Sequence, residues 1–490
     1  MANDSSSPAP APQGRRDLTQ GAIAPTLLAF ALPTLFSSIL QSLNGSINAI
    51  WVGRFLGEDA LAATSNANIV MFLLMAFVFG FGMASTILIG QAFGRRDVDG
   101  ARRGIGTALG AFILVAVAIA AAGWIFAPAL LRLLATPADA APLALAYLRV
   151  IFIAMPSSLI LVMLMMAMRG AGDALTPLWF MILAVILDGG LNPVFILGLG
   201  PAPAMGIAGS ATATVIANYA SLVGVVVYMY VRDLPLRLRG RELRYLLPDG
   251  ALLKTIVLKG LPMGLQMIVI SASALALIGL VNREGVETTA AFGVAMQLWT
   301  YLQMPAMALG AAVSAMVAQN IGAGRWDRVA AITRSGIAFA LLITAGLVVL
   351  LAVADRPALA LFLGGDSPAL PIARHIQILA TWSFLMFGVT LVLFGTVRAN
   401  GAVIGPLLIL FVGLVPIRLG FALGGYPRLG ADALWLSFPV SSFANMALAI
   451  AFYLHGGWRR SRMGPPPDPA ECLEEAQADA EPGGRLNPSG

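Results

Sequence analysis

Long apolar runs, each interrupted by a short polar stretch and then resumed, set the pattern of this 490-residue chain. They lie near residues 23–48, 61–90, 104–130, 141–168, 174–199, 205–231, 251–280, 288–318, 329–354, 371–397, 402–424 and 431–456. Each is about 20 residues or longer, the length that crosses the hydrocarbon of a bilayer. In lipid the backbone must satisfy its own N–H and C=O groups, so the runs predict helices rather than strands. The expectation is an all-α membrane protein of twelve transmembrane helices, with kinks at the Pro and Gly residues inside them. Composition agrees, at 59% hydrophobic and 11% charged residues.

Charge adds orientation. One set of loops collects Arg15, Arg16, Arg95, Arg96, Arg102, Arg103, Arg169, the cluster from Arg232 to Lys259, Arg325, Arg328, Arg334, Arg398 and Arg459 to Arg462. The opposite set holds only Arg54, Arg132, Arg283, Arg356, Arg374 and Arg428. Cytoplasmic loops carry the excess of Lys and Arg, so both termini are expected in the cytoplasm. The net charge of +6 reports this topology, and no nucleic-acid partner is expected. Residues 1–20 read as a disordered, polar, Pro-rich cytoplasmic tail without the apolar core of a signal peptide. Residues 457–490 read as a disordered acidic cytoplasmic tail. That tail carries Cys472, the one cysteine, and the histidines are only His375 and His455, so neither a disulfide nor a zinc site is expected.

The chain repeats itself. GEDALAA from Gly57 and QAFGRRD from Gln91 return as GVETTAA from Gly285 and QNIGAGRWD from Gln319, both at an offset of 228. RGAGDALTPL from Arg169 returns as RANGAVIGPL from Arg398 at an offset of 229. Each half holds an even number of spans, so the halves lie in the same orientation about an axis along the membrane normal. The expected domains are an N-terminal six-helix lobe, 21–231, a basic cytoplasmic linker, 232–250, and a C-terminal six-helix lobe, 251–456. Two such lobes, V-shaped about a central cavity, suit alternating access by rocking.

Of 24 acidic residues, Asp188 alone falls deep inside a predicted span. A charge at that depth costs at least about 2.5–3.5 kcal/mol, which makes it a functional candidate. Asp188 and Asn192 are spaced i, i+4 and share a helix face. Gly189 and Gly190 remove bulk beside the carboxyl group. Pro193 has no N–H to give the carbonyl of Gly189, so that oxygen stays free and a helix bend is expected there. An acid exposed to each side of the membrane in turn would load and release a proton.

Several motifs together resemble one family, the bacterial multidrug and toxic compound extrusion (MATE) transporters. They are Pro33 and Pro262 early in each half, VGRFLGEDALAA, GQAFGRRD, AQNIGAGRWDR, YLRVIFIAMP from Tyr147, and RGAGDALTP. The resemblance covers roughly residues 25–455. It implies two six-helix lobes and export of amphipathic, often cationic drugs or toxins, driven by inward H+ or Na+. It further implies a place in the inner (cytoplasmic) membrane and no cofactor beyond the coupling ion. The chain departs from the family at an Asp of the first helix, here Asn48, and in the order Asp188 then Asn192, inverted from the usual Asn then Asp. Second-lobe acids of sodium-linked members fall at Ile270 and Phe387, which favours protons. A monomer is expected.

Around Asp188 the expected coupling set is Asn192, Asn48 and Tyr147, the last by resemblance to a network Tyr of the family. Asn44, Gln41, Ser210, Gln266 and Gln297 are expected to face a substrate cavity, with Asn445 a further candidate. The many Met residues, MLMMAM at 163–168 among them, suit either an adaptable ligand surface or core packing. Arg149 and Arg418 are the basic residues inside spans; Arg418 has either an acidic ligand or a buried carbonyl as its expected partner. A transport ATPase is disfavoured by the lack of a GxxxxGK[ST] loop. An intramembrane transferase would need clustered acids for Mg2+. The alternative kept is a flippase for a lipid-linked precursor.

Overall fold

The computed structural model describes residues 17–56, 58–133, 141–198, 203–364 and 366–464. All regular structure among them is helical. The N-terminal lobe comprises α1 (Ile23–Leu56), α2 (Glu58–Gly94), α3 (Val98–Leu133), α4 (Ala141–Gly170), α5 (Leu175–Leu197) and α6 (Ile207–Val231). The C-terminal lobe comprises α7 (Gly250–Val281), α8 (Val286–Gly322), α9 (Trp326–Val353), α10 (Asp355–Leu363), α11 (Ala369–Ala380), α12 (Ser383–Arg398), α13 (Ile404–Val412), α14 (Arg418–Leu429) and α15 (Asp432–His455). Ten helices among the described residues are long and apolar enough to cross a membrane, or eleven if a bent pair counts once, against the twelve expected. The continuous helix α2 enters that census only as Val78–Gly94.

Two expected single spans are composite. The run expected at 371–397 is α11 and α12, set at 46° to each other. The run expected at 402–424 is α13 and α14 joined by a π-helical turn, Gly413–Ile417, that contains Pro416. Hydropathy registers apolar length but not helix winding, so both runs read as uninterrupted. Several helices also overrun their apolar stretches; α1, for example, continues to Leu56 rather than stopping near residue 48.

The duplication reappears as an exchange of contacts between the lobes. Gln91 Nε2 on α2 donates to the Ala399 carbonyl at 2.7 Å, and Gln319 Nε2 on α8 donates to the Gly170 carbonyl at 2.9 Å. Each residue of one bond is displaced by 228 or 229 positions from its counterpart in the other. Backbones meet here through glycine: a Cβ on Gly94 would overlap the Gln319 carbonyl, and one on Gly322 would overlap the Gln91 carbonyl. These contacts lie at the end of the bundle that holds Arg95, Arg96, Arg325 and Arg328, called the basic end below. The largest buried cluster joins Leu27, Phe30 and Ala31 of α1 with Leu309 to Ala318 of α8 near the same end.

The described parts of the expected tails are packed. Leu18 is fully buried; its N–H donates to Gln319 Oε1 at 3.3 Å and its carbonyl accepts from Asn320 Nδ2 at 3.0 Å. Residues 457–464 include the buried Trp458 and Met463, and Asn400 Nδ2 donates to the carbonyls of Trp458 and Arg459. Polar composition predicted disorder, but burying a few large apolar side chains beside satisfied backbone groups holds both segments. Residues 1–16 and 465–490, with Cys472, lie outside the described residues. The linker also docks: Gly240–Leu246 forms a 3-10 turn against α3, where Arg102 pairs with Glu242 and Tyr245 donates to Asp99 at 2.8 Å.

Candidate functional site

The i, i+4 pair on α5 meets a second i, i+4 pair on α1. Asn44 Nδ2 donates to Asp188 Oδ2 at 2.8 Å, and Asn48 Nδ2 donates to the same oxygen at 2.9 Å. Asn192 Nδ2 reaches Asn48 Oδ1 at 2.7 Å, the Asp188 carbonyl at 2.8 Å and Asp188 Oδ1 at 3.3 Å. Thr214 on α6 completes the shell, its hydroxyl donating to Asp188 Oδ1 at 3.0 Å. Asp188 is only 2% exposed and Asn192 is fully buried. Gly189 faces Ile47 of α1, and a Cβ there would stand 3.5 Å from Ile47 Cγ2, an ordinary contact, so the α1–α5 approach does not depend on the glycine.

Both carboxyl oxygens thus receive donors, the pattern suited to an ionised, acceptor-only group. Two further acceptors stand in the same cluster. Asn44 Oδ1 and Asn192 Oδ1 are buried without a hydrogen-bond partner. Pro193 lies inside α5, which remains one continuous helix through it. Asn192 turns its amide nitrogen, not its oxygen, toward the carboxyl group.

Tyr147 is buried on α4, in a cluster with Val52, Leu148 and Ile207. Ser210 is buried on α6 one turn before Thr214, whose hydroxyl also reaches its carbonyl at 3.3 Å. Gln41 and Gln297 are exposed and do not join this cluster; Gln297 reaches Tyr301 at 3.4 Å. Gln266 is committed elsewhere, its Oε1 accepting from the buried Arg398. Thr214 was missed because one hydroxyl among Ser210, Thr212 and Thr214 carries no sequence signal of facing α5. Met163, Met165, Met166 and Met168 are buried in the N-terminal lobe, which decides for packing over a ligand surface.

The second lobe holds a cavity of about 160 Å3 whose lining includes Trp299, Phe387, Arg418, Phe438 and Asn445. A smaller one of about 60 Å3, lined by Gln266, Arg398 and several Met residues, shares Ile270, Phe387, Thr390 and Leu410 with it. The two positions where a second-lobe acid was sought, Ile270 and Phe387, therefore face cavity as apolar walls. Arg149 stands over the Trp124 ring at 5.6 Å.

The MatE family pattern matches the chain twice, over residues 33–194 and again over 262–423, one match in each lobe. The chain belongs to the MatE family. It is 36% identical to "Probable multidrug resistance protein YoeA" of Bacillus subtilis, over 89% of this chain and 94% of that one. It is 26% identical to a protein of Shewanella oneidensis named "FAD transporter", over 90% of this chain and 95% of that one. Its fold is similar to a solved structure described as the outward-facing conformation of a multidrug resistance MATE transporter, with a TM-score of 0.81 at 21% identity, over 91% of this chain and 98% of that one. This MATE protein is a multi-pass membrane transporter rather than an enzyme, and its relatives support multidrug export. The family's first-helix Asp position, Asn48, is here an amide bonded directly to the acid of the fifth helix.

Proposed function

We propose that this MATE protein is a secondary antiporter that exports amphipathic, often cationic compounds in exchange for H+, with Asp188 as the coupling carboxylate. The observation that carries the reading is the buried Asp188 carboxyl group, met by Asn44, Asn48, Asn192 and Thr214 beside two unpartnered amide oxygens. An ionised carboxylate accepts all four donors. Once protonated it must donate, and rotation of the Asn44 or Asn192 amide presents an acceptor already in place. The site can therefore hold two hydrogen-bond states with the same residues.

The two states differ in how α1 sits on α5 and α6. Because α1 also packs against α8 at the basic end, it is the element that touches both the acid and the lobe interface. The basic end faces the cytoplasm by its Arg content, so closure there leaves the acid to be reached from outside. A proton entering from that side would favour return to the inward-open state. The protein acts as a monomer in the inner membrane with both termini inside.

Na+ is the second reading, favoured by the same unpartnered Asn44 and Asn192 oxygens, which with the carboxylate form a set of hard ligands. Dye efflux from reconstituted vesicles, with a pH gradient or a Na+ gradient imposed separately, tests the proposal. Export driven by the pH gradient in the wild type and lost in Asp188→Asn is expected; export driven by neither gradient would sink the antiporter reading.

A further inference from the structure

The second lobe lines its cavities with cations, where the first lobe buries the acid Asp188. Among the described residues, neither of its adjoining cavities is lined by an Asp or Glu, while Arg418 lines one and Arg398 the other. Arg398 is committed to Gln266. Arg418 is not: its Nε donates to Ser441 Oγ at 3.0 Å, its guanidinium lies 4.5 Å from the Phe438 ring centroid, and no acidic side chain among the described residues pairs with it. A guanidinium has five N–H donors in a planar fork, and most of this one remains unspent. An unpaired cation inside a membrane helix bundle is costly and marks a ligand path.

The pseudo-symmetry places this cation with care. At the offset of 229 set by the two family matches, Arg418 corresponds to Gly189, the neighbour of Asp188. In each lobe the last helix supplies a hydroxyl to the charged residue: Thr214 to Asp188, Ser441 to Arg418. The π-helical turn Gly413–Ile417 immediately precedes Arg418 and changes its rotation about the helix axis relative to α5. Asn445, 6% exposed, lines the same cavity and carries a side-chain oxygen without a partner.

The walls are aromatic and fixed. Trp299 stands 4.9 Å from Phe438 and 5.7 Å from Phe384 between ring centroids. Its indole N–H is held by Gln377 Oε1 at 3.0 Å and Thr381 Oγ1 at 2.9 Å, which locks the ring plane. Flat apolar walls ending at a planar cation with free donors fit a flat apolar body ending in a planar anion.

We propose that the C-terminal-lobe cavity binds aromatic carboxylates, with Arg418 forming a two-pronged, charge-assisted pair with the carboxylate. This rests on the transport reading and names one substrate class for it: aromatic acids and zwitterions enter the second lobe while the acid of the first lobe handles the coupling ion. The experiment is calorimetric titration of the full-length protein in nanodiscs with 2-naphthoate, the neutral 2-naphthamide and the cationic 2-naphthylmethylammonium. Wild type is expected to bind naphthoate at least about tenfold tighter than the amide, as one net charge-assisted bond would give. Arg418→Gln abolishes that preference and Arg418→Lys keeps part of it. Equal binding of the three probes by wild type overturns the proposal without any variant, as does an undiminished naphthoate preference in Arg418→Gln. Efflux failing under every gradient while the head-group preference persists would remove the antiporter reading and leave this site standing.

Discussion

Asp188 is the residue on which the coupling reading turns, and its neighbours set what each substitution should do. Asp188→Asn keeps the size and most of the hydrogen bonds, so folding should survive while gradient-driven efflux falls to background. Thr214→Val removes one donor to a charged group, worth about 1.5–3 kcal/mol, and should slow efflux about tenfold and lower the melting temperature measurably. A normal efflux rate in that variant would show that Thr214 is only packing. A second acid, Asp173, lies in the turn between α4 and α5 and accepts from Thr176 and Leu175; burial nevertheless holds its carboxyl group above the ordinary 3.8. A raised native value means the folded state binds the proton more tightly, so its contribution to stability declines as pH rises from about 4 through that native value. Melting curves across this range should flatten in Asp173→Asn. The residues of the cluster were readable as candidates because buried carboxyl and amide groups stand out in an apolar run. Their partners were not: nothing in the spacing of Asn44 and Asn48 says that they face α5, and nothing singles out Thr214 on α6.

At the level of elements, apolar length located the helices but not their breaks. The α11–α12 bend and the π-helical turn before Arg418 leave hydropathy unchanged, because the residues there are as apolar as those of a straight helix; at the π-helical turn a backbone carbonyl is met from a neighbouring helix. The donor is Ser273, which reaches the Leu414 carbonyl at 2.9 Å. The linker shows the opposite effect. Its basic, Pro-containing sequence resembles an open loop, yet Gly110 lets the Leu246 carbonyl lie against α3 where a Cβ would overlap it. Gly110→Ala should therefore undock the linker, and trypsin should cut among Arg237, Arg239, Arg241 and Arg244 several-fold faster than in the wild type. Unchanged proteolysis would mean that the linker stays docked through the Arg102–Glu242 pair.

For the whole molecule, the glycine crossing of α2 and α8 holds the lobes together at the basic end. Gly94→Ala and Gly322→Ala each place a methyl group on a carbonyl of the other lobe. Each should cost about 1–3 kcal/mol, seen as a lowered melting temperature, with equal effects because the two contacts are pseudo-symmetric. An effect from one alone would show that the exchange of contacts is unequal in energy. The amino-acid pattern alone determined that the chain is a bundle of membrane helices, that it is duplicated, and that Asp188 is exceptional. These properties reside in composition, periodicity and local spacing, which a single chain displays directly. The tertiary structure decided which polar groups reach Asp188, that the positions of the missing second-lobe acids face a cavity, and that Arg418 stands there without a counter-charge among the described residues. Those depend on how helices rotate and cross, and packing between distant segments sets rotation where lipid-facing and core-facing side chains are equally apolar.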